Sequence, residues 1–361
     1  MSSQNLESNI PSPGSEEEIL QFKKIQAGFS KQFENVFPDK LAPRTVIIVP
    51  SLTMDQEILS KIVGFINYEE RLLCMLMLLR MPRTHLVYLT SIPIDPIIVD
   101  YYLHQLPGIT GYHAQRRLTL LSCHDASGKS LTEKIMQRPR LIQRIRECIA
   151  DVNNAHMACF NVTEFERSLA VQLGVPIFGC DPDLYELGSK SNGRKIFREC
   201  GVPVPPGFED LRTEEDIVEA LVKLKQQDPG LRKVVLKLND GFSGDGNGVF
   251  DYTGIEEHKD WKQWVHEQLP RRLRLVAEDL SYEKFLQKYN EMGGIIEAFI
   301  EGEIKESPSV QCRITPAGVC EVISTHDQVL GGESGQVFIG AKFPASIEYA
   351  PDLNIIGKKV S

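Results

Sequence analysis

The sequence has no excess of positive charge, no long apolar run and no clustered cysteine pair, and each absence removes a class of function. Forty Lys and Arg stand against 49 Asp and Glu, a net charge of -9, so the chain as a whole repels nucleic-acid backbones and anionic lipid. Nucleic acid is therefore not expected as a partner. The longest wholly apolar run, Leu72 to Leu79, falls far short of the roughly 20 residues that span a bilayer, and no membrane association is expected. The eight cysteines include no CxxC pair, and several sit in apolar runs such as Leu72-Leu73-Cys74-Met75, the pattern of buried reduced thiols. Neither they nor the eight histidines are spaced for structural zinc. Met1 to Gly14 is rich in Ser, Asn and Pro without the basic and apolar regions of a secretory signal, which points to a cytoplasmic protein.

What is present is an ordinary globular composition, 42% apolar and 25% charged over 361 residues, long enough for two or three packed units. Residues 1–18 read as a flexible acidic tail ending in Glu16-Glu17-Glu18. From Ile19 the positions Ile19, Phe22, Ile25, Phe29 and Phe33 recur near helical period and predict one amphipathic helix ending before Pro38. Val46-Ile47-Ile48-Val49 is a short β-branched run of the kind found in buried parallel strands. Further apolar runs at Leu86–Leu89, Leu118–Leu121 and Ala158–Phe160 alternate with helical patterns near 54–63, 68–80, 95–106 and 131–149. That alternation predicts a parallel doubly wound sheet. A shorter unit follows, with a helix over 163–173, a strand Ile177-Phe178-Gly179 and a helix ending near Cys200. After a helix over 213–227 the character changes to strand pairs separated by glycine turns: Val234–Leu238, Gly248–Phe250, Gly294–Ile300, Ser309–Thr315 and Cys320–Thr325. These predict an antiparallel sheet. The expected division lies near residue 180, with 19–180 and 181–361 as the two domains.

The most informative stretch is Lys237-Leu238-Asn239-Asp240-Gly241-Phe242-Ser243-Gly244-Asp245-Gly246-Asn247-Gly248, a glycine loop directly after a β-branched run. Such a loop exposes backbone amides to an anion, and a lysine on the strand feeding it can neutralise phosphate charge. A glycine-rich hairpin with a surface lysine has the same local pattern. A dinucleotide fingerprint would need a helix to open at the glycines, whereas Val249-Phe250 reads as a strand. An NAD-dependent oxidoreductase is likewise weakened because Val46–Val49 runs into Pro50-Ser51-Leu52 without glycines. In Ser127-Gly128-Lys129-Ser130 the ending suits a phosphate loop, but Cys123 stands where its first glycine belongs, so a helix-start turn is the better reading.

Three motifs in order resemble the ATP-grasp superfamily. They are Ser189-Lys190-Ser191-Asn192-Gly193-Arg194 leading through a helix to Gly201-Val202-Pro203-Val204-Pro205, then Lys237 with its loop, then Ile296-Glu297-Ala298-Phe299-Ile300-Glu301-Gly302-Glu303. In the first half, Val49-Pro50-Ser51-Leu52, Tyr68-Glu69-Glu70-Arg71, Tyr88–Pro96 and Asp100-Tyr101-Tyr102-Leu103 look like the pre-ATP-grasp domain of pheganomycin-type peptide ligases. The resemblance implies an α/β fold: a Rossmann-like pre-ATP-grasp parallel sheet, then an ATP-grasp α+β region with an antiparallel sheet. It implies ATP as cofactor, with Lys190 and Lys237 on the phosphates and Ser243, Gly244 and Gly246 in the phosphate loop. It further implies an adenine hinge in which backbone groups of Ala298, Phe299 and Ile300 follow Glu297, and Glu303 on the ribose hydroxyls, where a carboxylate is chemically apt. Glu297 and Glu303 could equally be solvated strand-end acids, and Ser51, Thr90 and Ser91 either face a ligand or cap helices.

Ligases of this class activate a carboxylate as an acylphosphate that an amine then attacks, which implies amino-acid-like carboxylate and amine substrates and release of ADP and phosphate. Arg313, alternating with Gln311 on a strand, is the candidate for the acylphosphate or substrate carboxylate, with an exposed edge-strand arginine as the alternative. The family holds Mg2+ with carboxylates from two late strands, and the sequence stops at Ser361 before such strands are expected. The only similar string, Asp352-Leu353-Asn354, reads as turn-like, so no metal ligand is assigned. A C-terminally incomplete ATP-grasp domain with exposed apolar surface is expected, and a non-catalytic nucleotide-binding or partner-binding remnant stands beside the ligase. Homo-oligomerisation and the identity of the substrates stay open.

Overall fold

The β-branched run is buried from end to end. Strand β1 (Arg44–Val49) is inaccessible at every position because it lies inside a parallel sheet with β2 (Thr84–Thr90), β3 (Leu118–Ser122) and β4 (Ala155–Cys159) in the order β3-β2-β1-β4. Val46 pairs with Leu86 on one side and His156 on the other. Alternate side chains then serve two cores: Ile47 and Val49 pack with Phe22, Ile142 and Leu169, while Val46 and Ile48 pack with Leu73, Leu76 and Val99. A strand covered on both faces has no polar side, which is why it reads as continuous rather than alternating. Each fully buried Val, Leu or Ile contributes roughly 1.5–3 kcal/mol.

The structure, a computed structural model, describes residues 10–53, 59, 64–241, 246–277, 280–303, 305–332, 335 and 337–361. It divides into a first unit, Met1–Tyr185 with Pro316–Val319, and a second, Glu186–Thr315 with Cys320–Ser361. Several local expectations change. The first helix begins at Glu16, inside the expected tail. Ser15 caps it by accepting from the Glu18 amide, and Glu18 is itself buried, accepting from the Gly14 amide at 2.7 Å. The expected single helix breaks at Gly28 into Glu16–Ala27 and Phe29–Val36. Residues 65–80 form a 3-10 helix, Phe65–Arg80, since Leu73, Leu76 and Leu79 at spacing three suit that tighter winding. The expected helix over 131–149 divides at Arg138-Pro139, proline opening the second piece, Pro139–Glu147. Ile177 makes only an isolated bridge to Met157, and the helix expected over 54–63 lies, apart from Leu59, outside the described residues. Ser127–Ser130 is a helix start, Ser130 capping Leu131–Met136. No described helix is long and apolar enough to cross a membrane.

Strand-end hydroxyls in this unit turn inward. Ser51 Oγ accepts from the Thr132 amide at 3.1 Å, and Ser91 Oγ lies between Glu69 Oε1 at 2.5 Å and Lys134 Nζ at 2.9 Å. His156 on β4 is buried against Phe29 and Phe37, with ring centroids at 5.6 and 5.1 Å. Burial, and secondarily the charge of Arg44, lowers its pKa to about 3. The folded state therefore keeps the imidazole neutral where the unfolded chain protonates it, so stability falls as pH drops from about 6.5 toward 3. Between pH 6.5 and 4 this loss is on the order of 3 kcal/mol. Urea midpoints across that range are expected to fall less steeply for His156→Leu than for the parent; parallel declines would exclude His156 as the acid-sensitive group.

In the second unit β5 (Gly207–Leu211), β6 (Lys233–Leu238), β7 (Asn247–Asp251), β8 (Arg274–Leu275) and β9 (Gly294–Ala298) form an antiparallel sheet in the order β5-β9-β6-β7-β8. Val234, Leu236, Leu238 and Ile296 face helices Glu214–Gln227, Trp261–Arg272 and Tyr282–Met292, which leaves Lys233, Val235, Lys237 and Glu297 to the opposite face. Strands β10 (Pro308–Ile314), β11 (Cys320–Gly331) and β12 (Val337–Lys342) form a separate antiparallel sheet. Helix Ala350–Val360 packs on it, with Gly357 beside Cys312 Sγ. Around this sheet Ile339, Phe343 and Ile347 are exposed.

Candidate functional site

Two lysines distant in sequence meet where the glycine loop begins. Helix Lys190–Glu199 starts at Ser189, whose side chain caps the Asn192 amide. Asn239, two residues beyond Lys237, fastens that helix start to the end of β6. Its carbonyl accepts from the Lys190 amide at 3.1 Å, its Oδ1 from Ser191 N and Oγ at 3.0 and 2.7 Å, and its Nδ2 donates to Met292 O at 3.0 Å. The close approach needs glycine behind it: a Cβ on Gly294 would lie 2.6 Å from Lys237 O, and Gly293, at φ +77°, would place one 2.9 Å from Asn239 Nδ2. Lys190 Nζ in turn lies beside Gly241, 3.8 Å from where a Cβ would stand.

Register explains the next contact. Lys237 pairs with Ile295 across β6 and β9, and Val235 pairs with Glu297, so Lys237 and Glu297 share a face as diagonal neighbours. Lys237 Nζ donates to Glu297 Oε1. Glu297 Oε2 accepts from Arg194 Nη1 at 2.7 Å, and Arg194 also donates from Nε to Glu209 at 2.7 Å and from Nη2 to Pro205 O at 2.7 Å. Arg198 closes the series on Glu209 at 2.6 Å. Burial lowers the Lys190 pKa, with Asp240 and Glu297 pulling it up and Lys237 pushing it down. An ammonium short of solvation, backed by a second cation, favours an arriving anion.

Of the residues expected at the nucleotide, Lys190, Lys237 and Glu297 are therefore brought together. Gly246 closes the loop, its carbonyl accepting from Leu238 N at 2.9 Å; Ser243 and Gly244 lie outside the described residues. The hinge is more constrained than expected. Ala298 N donates to Pro206 O at 2.8 Å and Phe299 N to Lys233 O at 3.1 Å, so both amides are used within the sheet, and Ile300 is the remaining amide of the three. Ile300 and Glu303 are exposed. Arg313 belongs to the other sheet, where it pairs with Glu321 at 2.5 Å, both side chains about half exposed. Its neighbour Gln311 is offset by a register shift between Gln311 and Cys312. Asp352 and Asn354 lie in the first turns of helix Ala350–Val360 rather than in a turn. Among the described residues no group of three or more His, Cys, Asp or Glu could hold a metal ion. Sequence reasoning missed Asn239 and Arg194. The available signals were an Asn inside the loop motif and an Arg one helical turn after Lys190.

The family model described as IQCH-like, ATP-grasp matches residues 182–279. L-propargylglycine--L-glutamate ligase of Streptantibioticus cattleyicolor is 31% identical over 301 residues, 81% of this chain and 59% of that protein. IQ motif-containing protein H of Danio rerio is 25% identical over 377 residues, 89% of this chain and 35% of that one. The chain thus spans between about a third and three-fifths of the length of these curated relatives. Among solved structures, the ADP complex of N5-carboxyaminoimidazole ribonucleotide synthetase aligns with a TM-score of 0.46 at 13% identity, covering 88% of this chain and 63% of that one. D-alanyl-alanine synthetase A from Vibrio cholerae aligns with a TM-score of 0.42 at 8% identity, covering 88% and 80%.

Proposed function

We propose that the chain, whose residues 182–279 match the family model described as IQCH-like, ATP-grasp, binds ATP and serves an ATP-dependent carboxylate–amine ligase. The observation that carries this reading is the meeting of Lys190, Lys237 and Glu297 beside Gly241. In this reading the two ammonium groups hold the phosphates, Lys237 using donors beyond the one given to Glu297. Gly241 and Gly246 lie at the phosphates, and the chain around Ile300 meets the base. A substrate carboxylate oxygen attacks the γ-phosphorus and ADP leaves. The amine nitrogen then attacks the acyl carbon, phosphate leaves, and the nitrogen releases its proton. The lysines neutralise charge that accumulates on the transferred group, and fixed positions replace solvent reorganisation. Magnesium, expected with the nucleotide, would neutralise phosphate charge when bound.

The amino-acid ligase among the relatives supports amino-acid-like substrates, one offering the carboxylate and the other the amine. A second reading, a nucleotide-binding protein without ligase activity, is favoured by one observation: Arg313 is occupied by Glu321 on a separate sheet. ADP release on incubation with ATP, magnesium and pairs of amino acids separates the two. Amino-acid-dependent ADP release is expected, with amide product by mass spectrometry. ATP binding without any turnover across the amino-acid set would favour the second reading.

A further inference from the structure

A second concentration of positive charge lies on the same sheet; none of its cations is assigned to the nucleotide, although the hinge residue Phe299 borders both. Lys233, Arg271, Arg272 and Arg274 line a cavity of about 620 Å3, together with Val249, Asp251 and Phe299. The volume lies within the range of small-molecule sites. Strand register builds its floor: Lys233 pairs with Asp251 across β6 and β7, and Arg274 with Val249 across β7 and β8. Arg272 is held in place, donating from Nε to Gln268 at 3.0 Å and from Nη1 to Thr253 O at 2.6 Å, with its guanidinium over the Trp264 ring. Asp251 is the one carboxylate lining the cavity among the described residues, and it accepts from Thr253 N and Oγ1 at 2.8 and 2.5 Å. Among the described residues Arg271 and Arg274 have no ion-pair partner, and Lys233 and Arg272 both act on Asp251, so four cations face one carboxylate that is already hydrogen-bonded.

Such an arrangement is self-repelling when empty and is relieved by an anion. Arginine forks suit the planar oxygen pairs of carboxylate and phosphate. The triphosphate position does not account for it. Lys190 and Lys237 are absent from the lining, and Lys233 stands four strand residues from Lys237, roughly 13 Å away at the rise of an extended strand. An anion held beside Lys233 would therefore lie toward the far end of the strand from a phosphoryl group carried by Lys190 and Lys237.

We propose that this cavity is a separate site for a compact small-molecule polyanion, a di- or tricarboxylate or a phosphate compound. The test is calorimetry with citrate and with pyrophosphate, at ionic strength matched with chloride, on the chain saturated with ADP and on the chain alone. One equivalent of at least one probe is expected to bind the ADP-saturated chain, and the stronger probe identifies the chemistry. Arg271 and Arg274 are exposed at the cavity, so the variant carrying both Arg271→Ala and Arg274→Ala is expected to melt as the parent does. It should lose at least tenfold in probe affinity while its ADP affinity stays within twofold. If that variant melts early, Lys233→Gln gives the same comparison. Three results would overturn the proposal: no binding of either probe, displacement of ADP by the probe, or equal loss of probe and ADP in the arginine variant. If ADP itself does not bind, probe binding to the chain alone still decides this proposal, and only the nucleotide reading falls.

Discussion

Lys237→Ala is expected to remove most of the thermal stabilisation that ATP gives this protein. Lys237 is the strand lysine at the mouth of the glycine loop, its ammonium held toward Glu297 on the neighbouring strand. Charge-assisted hydrogen bonds of the kind proposed to phosphate are worth about 1.5–3 kcal/mol each, and losing more than one weakens binding about 100-fold. A ligand at 100 times its dissociation constant stabilises by about 2.7 kcal/mol, and after a 100-fold loss of affinity by about 0.4 kcal/mol. The fold should survive, because Glu297 keeps Arg194 as a partner and Lys237 is a quarter exposed. Melting curves with and without ATP, paired with calorimetry, read the effect directly. Lys190→Ala should act in the same direction, since its ammonium shares the site. An unchanged ATP shift in both variants would remove the phosphate assignment.

The second large effect concerns Arg194, whose side chain is 6% exposed and which makes three hydrogen bonds of 2.7 Å. Arg194→Leu leaves Glu297 and Glu209 in a buried setting with one cation each, Lys237 and Arg198 respectively. Breaking a buried pair by removing one partner costs about 3–5 kcal/mol, and the remaining cations place the expected loss near the lower end. Arg194→Lys keeps the charge without the fork and should lie between. Glu209 offers an independent readout. Burial pushes its carboxyl up, but Arg198 and Arg194 together hold it below the usual value. A depressed carboxyl adds stability above its unfolded pKa, and that stability is lost as pH falls through the folded value. Without Arg194 the folded value rises, so acid unfolding of the variant should begin at higher pH. Urea midpoints measured from pH 7 to 4 test both statements, and a variant as stable as its parent would show that the ion-pair series contributes nothing.

What could be read from the chain alone was whatever depends on neighbours in sequence. Val46–Val49 announced a strand buried on both faces because no polar residue interrupts it. Gly201 with Pro203 beyond the helix marked a stop whose geometry is local. The glycine loop between two strands followed from its flanking runs, and with it the strand lysine. Spacing could not distinguish an α-helix from the 3-10 helix over Phe65–Arg80, because leucines three apart suit either winding until the packing partner decides. It could not show that Ala298 and Phe299 spend their amides on Pro206 and Lys233, since a strand's donors are committed only when its neighbours arrive. Arg313 looked like a ligand because alternation on a strand is visible in sequence, whereas its sheet and its partner Glu321 are not. Arg194 and Asn239 went unnoticed for the same reason: their importance comes from the groups they join, 103 residues apart for Arg194 and Glu297. The sequence by itself marked most of the strands and the two candidate lysines. Only the tertiary structure decided which charges face each other, because Coulomb energy and hydrogen bonding depend on distances that chain order does not carry.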